Sequence, residues 1–536
     1  MRKKQVRSKP IELKWQCPTW LKFLVIALLA LGIFFRFVNL DRKAYWFDET
    51  YTSLEISGYT DAEVEQQILD GRVISNQDLQ KYQHPNSEKS AFNTLENIAR
   101  KEPQLTPLYF LLARVWEELF GNSVATIRSL SAVVSLLAFP YIYWLCLELF
   151  GSPLSGWLAM ALIAISPFYV LYAQEARPYS LWTVVILVSN ATLLRSLRSG
   201  TRRNWGIYAA TVSLGLYTYL FSVLVFTSHG IYLLIIERFR LSRTLIAYGI
   251  ASSIGLISFA PWIMLALINL QKTNENRWGE TRTSLFVLFK GWVRSLSLFF
   301  IDFSLNDRSS LIYFLLFLIL LVIVLILVGY SIYFLVRNTQ QQVWLFIVIS
   351  AVVPALVLLI PDLILGGKQS TATRYLIPCF SSIQLAVVYL FAQRIFFVST
   401  QWQHRFWRIA LVALLSIGVI SCADISQSAI WWNKAEGNDN YHLAQIINTA
   451  NKPLLVSDAY FVRVISLSYL LTQNVQFQLV VKPNIPQIPP EFSNVFLYEP
   501  SQTLRDGLKK QYSVELIAQS TEPSYHHPSL WRLAKR

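Results

Sequence analysis

The sequence predicts a polytopic α-helical membrane protein of about 11 spans, followed by a small α/β domain outside the membrane. Three observations carry this prediction. The 536-residue chain is 54% hydrophobic and 15% charged, with a mean hydropathy of +0.40, too apolar for a water-soluble protein of this length. Its apolar residues come in runs long enough to cross a bilayer, which takes roughly 20 residues. From Ile425 onward those runs stop, and short β-like segments alternate with helix-like ones.

The N-terminal tail, 1–19, holds Arg2, Lys3, Lys4, Arg7, Lys9 and Lys14, and a basic flank of this kind stays cytoplasmic. The run Trp20–Val38 is longer than a signal-peptide core, and no small-residue cleavage site follows; it reads as an uncleaved signal anchor. Further spans are expected at 124–148, 154–172, 179–195, 205–219, 220–236, 245–270, 310–336, 343–361, 375–397 and 408–424. Two loops, one with Arg195, Arg198, Arg202 and Arg203 and one with Arg238, Arg240 and Arg243, are basic and belong inside. That holds only if Thr106–Gly121 does not cross. The segment is short and carries Arg114, Glu117 and Glu118; charges in mid-span are costly, so it reads as an amphipathic or re-entrant helix.

With this count the first loop (39–123), 173–178, 271–308, 362–374 and the C-terminal region share the outer face of a plasma (inner) membrane. The domains expected are the tail 1–19, a membrane domain 20–424, and an outer α/β domain 425–536. In the last, Pro453–Val456, Val475–Val481, Asn494–Tyr498, Val514–Ala518 and Leu530–Leu533 read as strands. His442–Thr449, Val462–Leu471 and Ser501–Lys510 read as helices. The domain has no Gly-rich phosphate loop and no nucleophile elbow, and reads as a structural or acceptor-positioning cap.

The net charge of +15 is accounted for by cytoplasmic loops and anionic lipid headgroups, so the bilayer, not nucleic acid, is the expected partner. Cys17, Cys146, Cys379 and Cys422 lie in the tail or in and beside spans, and suggest neither a disulfide framework nor a metal cluster.

The candidate chemistry lies in the outer segments. Asp48 and Glu49 sit within Tyr45-Trp46-Phe47-Asp48-Glu49-Thr50-Tyr51, where the chain leaves the first span. A carboxylate there loses solvation, which favours a partner or a raised pKa. In a strand the two side chains would point to opposite sides; in a helix they would stand about 100° apart. The first loop adds His84 and Glu102. The segment Tyr172-Ala173-Gln174-Glu175-Ala176-Arg177-Pro178-Tyr179 brings Glu175, Arg177 and Tyr179; Thr371-Ala372-Thr373-Arg374 brings Arg374 before Tyr375. Lys272 and Lys368 lie near span ends. Each cation alone reads as a snorkelling anchor. Several on the face that holds an acidic pair point instead to an anionic, lipid-linked phosphate. A transporter or flippase of a lipid-linked or anionic solute is the alternative class, but the two similar halves common in transporters are not seen.

These motifs resemble the GT-C fold membrane glycosyltransferases of the family that holds the protein O-mannosyltransferases and the aminoarabinose lipid A transferase, glycosyltransferase family 39-like and bacterial. The resemblance rests on Trp46–Tyr51, Thr106-Pro107-Leu108-Tyr109, Arg128, Ala173–Tyr179 and Arg374-Tyr375-Leu376, and covers the layout of about 20–425. The family's His-Pro-Pro-Leu-Tyr pattern is broken here, with Leu105 and Thr106 in place of the His and first Pro, so no role is carried over for that His. The resemblance implies an inverting enzyme that moves a sugar from a polyprenyl-phosphate donor to a hydroxyl of a glycan, lipid or protein acceptor. Asp48 would be the general base and Glu49 its positioning partner. Arg177 and Arg374 would clamp the phosphate, with Arg128, Lys272 and Lys368 behind them. No cofactor is implied with certainty. A divalent cation held by Asp48 and Glu49 is compatible with the pair, though no His/Cys ligand spacing supports a metal.

Overall fold

The computed structural model describes residues 18–269, 283–304, 311–397, 400–519 and 528–535. The chain forms two compact units. One comprises 1–38, 103–108 and 131–426; the other comprises 39–102, 109–130 and 427–536.

The first unit is helical, and each of the eleven expected segments is found in helix, Val124–Phe150 bridging the two units. Among the described residues eight helices are long and apolar enough to cross a membrane. The expected 205–219 and 220–236 segments are shorter helices, Arg202–Thr218 and Ser222–Ile236. Burial separates the long helices into two kinds. Tyr179–Ser199 and Thr373–Phe396 are mostly buried, whereas Leu311–Asn338, the most apolar of them, is mostly exposed. A helix apolar all round and unburied by protein belongs against lipid; the two buried ones form the interior that carries Tyr179 and Tyr375.

The expected 154–172 span is broken. Helices Pro153–Ala164 and Pro167–Ala173 meet at a 60° bend, because Pro167 supplies no N–H to continue the first helix. The carbonyls released at the break need donors, since lipid offers none. Arg36, fully buried on helix Thr19–Phe37, provides them: Nη1 donates to Ala164 O at 2.6 Å and Nη2 to Ile163 O at 2.9 Å. Cys422 Sγ–H donates to Ile165 O at 3.2 Å. The approach needs Gly32, where a Cβ would lie 2.5 Å from Ala164 O. The second half-helix delivers Gln174–Arg177 to its end.

The second unit is built on one six-stranded sheet. Its strands are β1 (Asp70–Ser75), β2 (Pro453–Ser457), β3 (Gln476–Val480), β4 (Asn494–Tyr498), β5 (Tyr512–Gln519) and β6 (Ser529–Lys535), in the order β1-β3-β2-β4-β6-β5. β3, β2 and β4 are parallel; β1, β6 and β5 pair antiparallel at the two sides. β2 is buried along its whole length, as a central parallel strand covered on both faces should be. Leu455, Phe477 and Phe496 face helix Phe461–Ser468 in one core. Leu454, Val456, Val495 and Leu497 face helix Gln502–Leu508 in the other.

The five C-terminal strands and three helices stand where the sequence pattern predicts them. β1 does not: it belongs to the first loop and pairs with β3, Ile74 opposite Phe477. The sequence reading keeps that loop apart from the C-terminal domain, whereas one sheet takes strands from both. β1 is short and half polar, with Asp70 and Arg72 exposed in alternation, and an edge strand of this kind carries a weak signal. Helix Leu108–Phe120 also belongs largely to this unit. It buries Tyr109, Phe110, Ala113, Arg114 and Glu117 along one face, and Arg114 Nη1 donates to Ile56 O at 2.8 Å. That is the amphipathic character expected of 106–121.

Candidate active site

Asp48 and Glu49 lie in the first turn of helix Phe47–Ser57, so the helical alternative holds and the two side chains diverge by about 100°. Carboxylates in a first turn are favoured by the positive end of the helix dipole. Their environments differ sharply. Glu49 is fully buried. Arg128 grips it with both forks, Nε to Oε1 at 2.7 Å and Nη2 to Oε2 at 2.7 Å, and Lys434 Nζ reaches Oε2 at 2.5 Å. Asp48 is only half buried.

Arg128 does more than hold Glu49. Its Nη1 donates to Leu40 O and Lys43 O, and its Nη2 to Ala44 O at 2.9 Å. Ala44 N donates to Ala429 O, and Ser466 Oγ to Tyr45 O. Gly437 lets helix Ala435–Asn448 abut the same segment, since a Cβ there would lie 3.0 Å from Trp46 Cβ. The backbone entering the Asp48 turn is therefore fixed from three directions. Arg128, expected among the phosphate cations, directs its donors at Glu49 and these carbonyls.

Two lysines complete the cluster, and the sequence reading names neither. Lys434 ends the Trp431-Trp432-Asn433-Lys434 stretch. Lys43 stands five residues before Asp48 and is buried, which pushes its ammonium down to about 7, helped by the charges of Lys434 and Arg128 and opposed by Glu49. A Lys/Arg flank at a span end reads first as an anchor, which hid both. With Glu49 already held by two cations, the Asp48–Glu49 pair does not fit a divalent metal, and no three His, Cys, Asp or Glu side chains converge elsewhere among the described residues.

Other candidates in this unit have structural partners. His84 Nδ1 lies 3.2 Å from Glu117 Oε2, and burial raises the Glu117 pKa. Glu102 is half buried and acts electrostatically on Glu55, which burial pushes up to about 8.

The remaining candidates lie in the first unit. Gln174 Nε2 donates to Phe35 O at 2.7 Å and Val38 O at 2.9 Å, which ties the motif to the end of the first span. Glu175 is fully buried and Arg177 nearly so. Arg177 N donates to Glu175 O at 2.8 Å, closing a tight turn before Pro178. Arg374 sits over the Tyr375 ring at 5.4 Å, and both Arg177 and Arg374 act on the Tyr219 hydroxyl. Tyr219 joins them through a ring cluster: Tyr179 at 5.9 Å, Trp182 at 4.6 Å and Tyr375 at 6.5 Å. The structure thus brings Arg177, Arg374, Tyr179 and Tyr375 around one tyrosine that the sequence reading passes over as the last residue of the 205–219 span. Lys368 is half buried in the 366–368 turn, and burial lowers its pKa; Asp362 fixes the following loop by accepting from Gln369 N and Ser370 N. Lys272 lies outside the described residues.

These features, a broken span that presents a Gln-Glu-Ala-Arg-Pro-Tyr turn and a sheet unit that buries Glu49, have structural relatives. The model of the family described as dolichyl-phosphate-mannose-protein mannosyltransferase matches residues 101–265. The chain superimposes on the crystal structure of ArnT from Cupriavidus metallidurans bound to undecaprenyl phosphate with a TM-score of 0.52 and 14% identity, over 95% of this chain and 98% of that one. The apo ArnT structure gives 0.52 at 12% identity, over 96% and 98%.

The chain has the GT-C fold. The resemblance read from the motifs, to the protein O-mannosyltransferase and aminoarabinose transferase kind of membrane glycosyltransferase, is borne out. The GT-C match runs nearly end to end, so it includes the sheet unit as well as the helices. No curated protein sequence matches the chain.

Proposed function

We propose that this GT-C chain is an inverting glycosyltransferase that uses a sugar linked to a polyprenyl phosphate. The observation that carries the reading is the division of labour between neighbours: Glu49 is locked by Arg128 and Lys434, while Asp48, next to it on a fixed backbone, stays half buried. A general base must be positioned and must reach an acceptor proton; Asp48 meets both needs, and Glu49 meets only the first. ArnT bound to undecaprenyl phosphate supports the choice of lipid carrier.

In this reaction the acceptor oxygen forms a bond to C1 of the sugar as the C1–O bond to phosphate breaks. The hydroxyl proton passes to the Asp48 carboxylate, and the electron pair leaves with the lipid phosphate. Arg177 and Arg374 hold the growing charge on that phosphate, a task suited to planar guanidinium forks, with Tyr179, Tyr219 and Tyr375 around them. Lys368 and Lys272 supply further positive charge. Attack from the face opposite the phosphate inverts the anomeric centre. Glu49, Arg128 and Lys434 hold the base in place. The motif segments and the sheet unit lie on the outer face and the 195–203 loop in the cytoplasm, as the basic loops support.

The test is turnover of purified protein with a panel of polyprenyl-phosphate sugars, read as release of lipid phosphate. Release that depends on Asp48 supports the proposal; none with any donor counts against it. Orientation is read separately by impermeant labelling of cysteines placed at 90, 199 and 501 in spheroplasts. Labelling of 199 alone reverses the assignment.

A further inference from the structure

Helix Tyr179–Ser199 carries the candidate phosphate cluster at its first turn and a groove at its last. It stops at Gly200, whose left-handed φ of 63° suits glycine. Thr201 then caps helix Arg202–Thr218, its side chain accepting from Asn204 N. This short link folds the second helix back against the first, and Asn204 Nδ2 donates to Ser199 Oγ across it. Helix Ala138–Phe150 also packs on Tyr179–Ser199. A cavity of about 270 Å³ lies among the three helices, lined by Trp144, Thr192, Arg195, Asn204 and Ile207. Arg195 follows Tyr179 by about 24 Å along the helix axis, so the cavity is separate from the donor phosphate cluster.

The lining has a charged side and an apolar side. Buried Glu148 holds the charged side in place. It accepts from Trp144 Nε1 at 3.0 Å, and it pairs with Arg198 Nη2 at 2.7 Å and Arg195 Nη1 at 3.3 Å. One carboxylate thus answers two guanidiniums. Arg195 commits a single nitrogen to the pair, and its side chain is 54% exposed, which leaves the rest of its planar fork open to a ligand. Arg202 and Arg203 are exposed and have no carboxylate partner among the described residues. The local charge is therefore positive. Trp144 and Ile207 form the apolar side, and Ile207 is 43% exposed. An indole beside cations at a span end is the composition of a membrane–water interface.

We infer that this groove binds one anionic glycerophospholipid from the leaflet that meets this end of the helices. Basic pockets between membrane helices hold acidic headgroups. The Arg195 fork takes the phosphodiester in a two-point contact. The Asn204 carboxamide oxygen, which accepts from no group among the described residues, takes a headgroup hydroxyl. Trp144 and Ile207 meet the glycerol backbone and the first methylenes. The volume suits a headgroup with its ester ends, and the chains stay in the bilayer. A soluble phosphate ester would leave the apolar side unused. The lipid takes no part in sugar transfer, and the site stands whether or not the chain turns over a donor. Its binding ties three helix ends together and stabilises the fold by mass action.

Native mass spectrometry of the full-length protein in detergent, titrated with phosphatidylglycerol and with phosphatidylcholine of the same chains, tests this. The wild type is expected to bind one phosphatidylglycerol about tenfold more tightly than phosphatidylcholine, the order of a hydrogen-bonded charge contact. Arg195→Gln should weaken phosphatidylglycerol about fivefold or more, the order of one basic residue's contribution at an anionic headgroup. Ile207→Trp keeps every charge and fills the groove from an exposed position, so it should weaken the lipid by the same order without disturbing the fold. Arg405→Gln removes the same charge from an exposed site at the start of helix Gln401–Gln427 and should change affinity less than about twofold, as surface charges do. Equal affinity for the two lipids, equal loss in Arg195→Gln and Arg405→Gln, or full retention in Ile207→Trp each overturns the site. Displacement of the lipid by glycerol phosphate at concentrations matching the lipid's own would make it a site for soluble anions and overturn the lipid assignment.

Discussion

Arg36 and Arg128 are both fully buried arginines, one in each unit, and they differ in what they satisfy. Arg36 spends its donors on neutral oxygens: Gly32 O, Ala164 O, Ile163 O and Ser135 Oγ. Arg128 divides its donors between the Glu49 carboxylate and three carbonyls. The first mends a broken span, the second an irregular loop. In both cases the backbone so fixed runs into a motif, Gln174–Arg177 in one unit and Asp48 in the other. A buried arginine in an apolar helix is therefore as much a sign of interrupted backbone nearby as of a ligand, and the residues to watch for chemistry are those the fixed backbone presents.

The sharpest break of this comparison is at Asp48, the half-buried residue that the fixed backbone presents. Asp48→Asn keeps the shape but removes the proton acceptor at neutral pH. Its kcat should fall by about 10²–10⁴-fold with donor KM and thermal stability near those of the wild type. Retention of most activity would remove Asp48 from the chemistry.

Arg128 belongs to the other side of the comparison. Removing one partner of a buried ion pair costs about 3–5 kcal/mol, so Arg128→Ala should lower the unfolding free energy of the protein by that order. Arg128→Met combined with Glu49→Gln and Lys434→Met should recover much of the loss, since it removes all three buried charges together, and the buried charge left behind, not the missing contact, is the larger cost. Chemical denaturation of the three proteins, matched for detergent, measures this. A stable Arg128→Ala protein that has lost only donor affinity would return Arg128 to the phosphate site.

Arg177→Ala and Arg374→Ala should instead leave stability nearly intact and weaken donor use, by about 2–5 kcal/mol for the loss of one charge-assisted contact to a buried anion. Lysine at either position should rescue only in part, because it lacks the planar fork. Steady-state kinetics with varied donor decides it; unchanged donor efficiency in both alanine variants takes the pair out of the phosphate site.

Much of this was legible in the sequence, and the reasons differ by region. The helices were readable because long runs such as Leu311–Asn338 have no soluble alternative, and the C-terminal strands because apolar runs such as Pro453–Val456 are bounded by turns. The acidic pair stood out through its place after the first span. What was not legible depends on long-range contact. β1 is a half-polar edge strand whose Ile74 pairs with Phe477 of β3, far along the chain, and Lys434 meets Glu49 across 385 positions. Arg128 drew its phosphate role from the family resemblance, and its Glu49 and carbonyl partners, some 80 residues away, leave no mark in its own stretch of sequence. Tyr219 was invisible because tyrosines are common in such helices and nothing in its neighbourhood marks it.

Lys43 gives the smallest and most specific effect. It is buried beside two other cations, and its pKa falls from the ordinary lysine value to about 7. A folded pKa below the unfolded one means that the unfolded chain binds the proton more tightly between the two values. The stability Lys43 contributes as a neutral amine is present in full above about pH 10.5 and is lost as pH falls towards 7. The slope from this one group is at most about 1.4 kcal/mol per pH unit. Lys43→Met, close in shape and without charge, should flatten the dependence of unfolding free energy on pH between 7 and 10 and raise stability at pH 7, while Arg128 Nη1 continues to donate to the residue 43 carbonyl. Denaturation at pH 7, 8, 9 and 10 compares the two proteins. Parallel curves would mean that Lys43 stays charged in the fold, paired more closely with Glu49 than its neighbours Lys434 and Arg128 allow, and the cluster would then be a four-member ion network and not a pair of cations on one carboxylate.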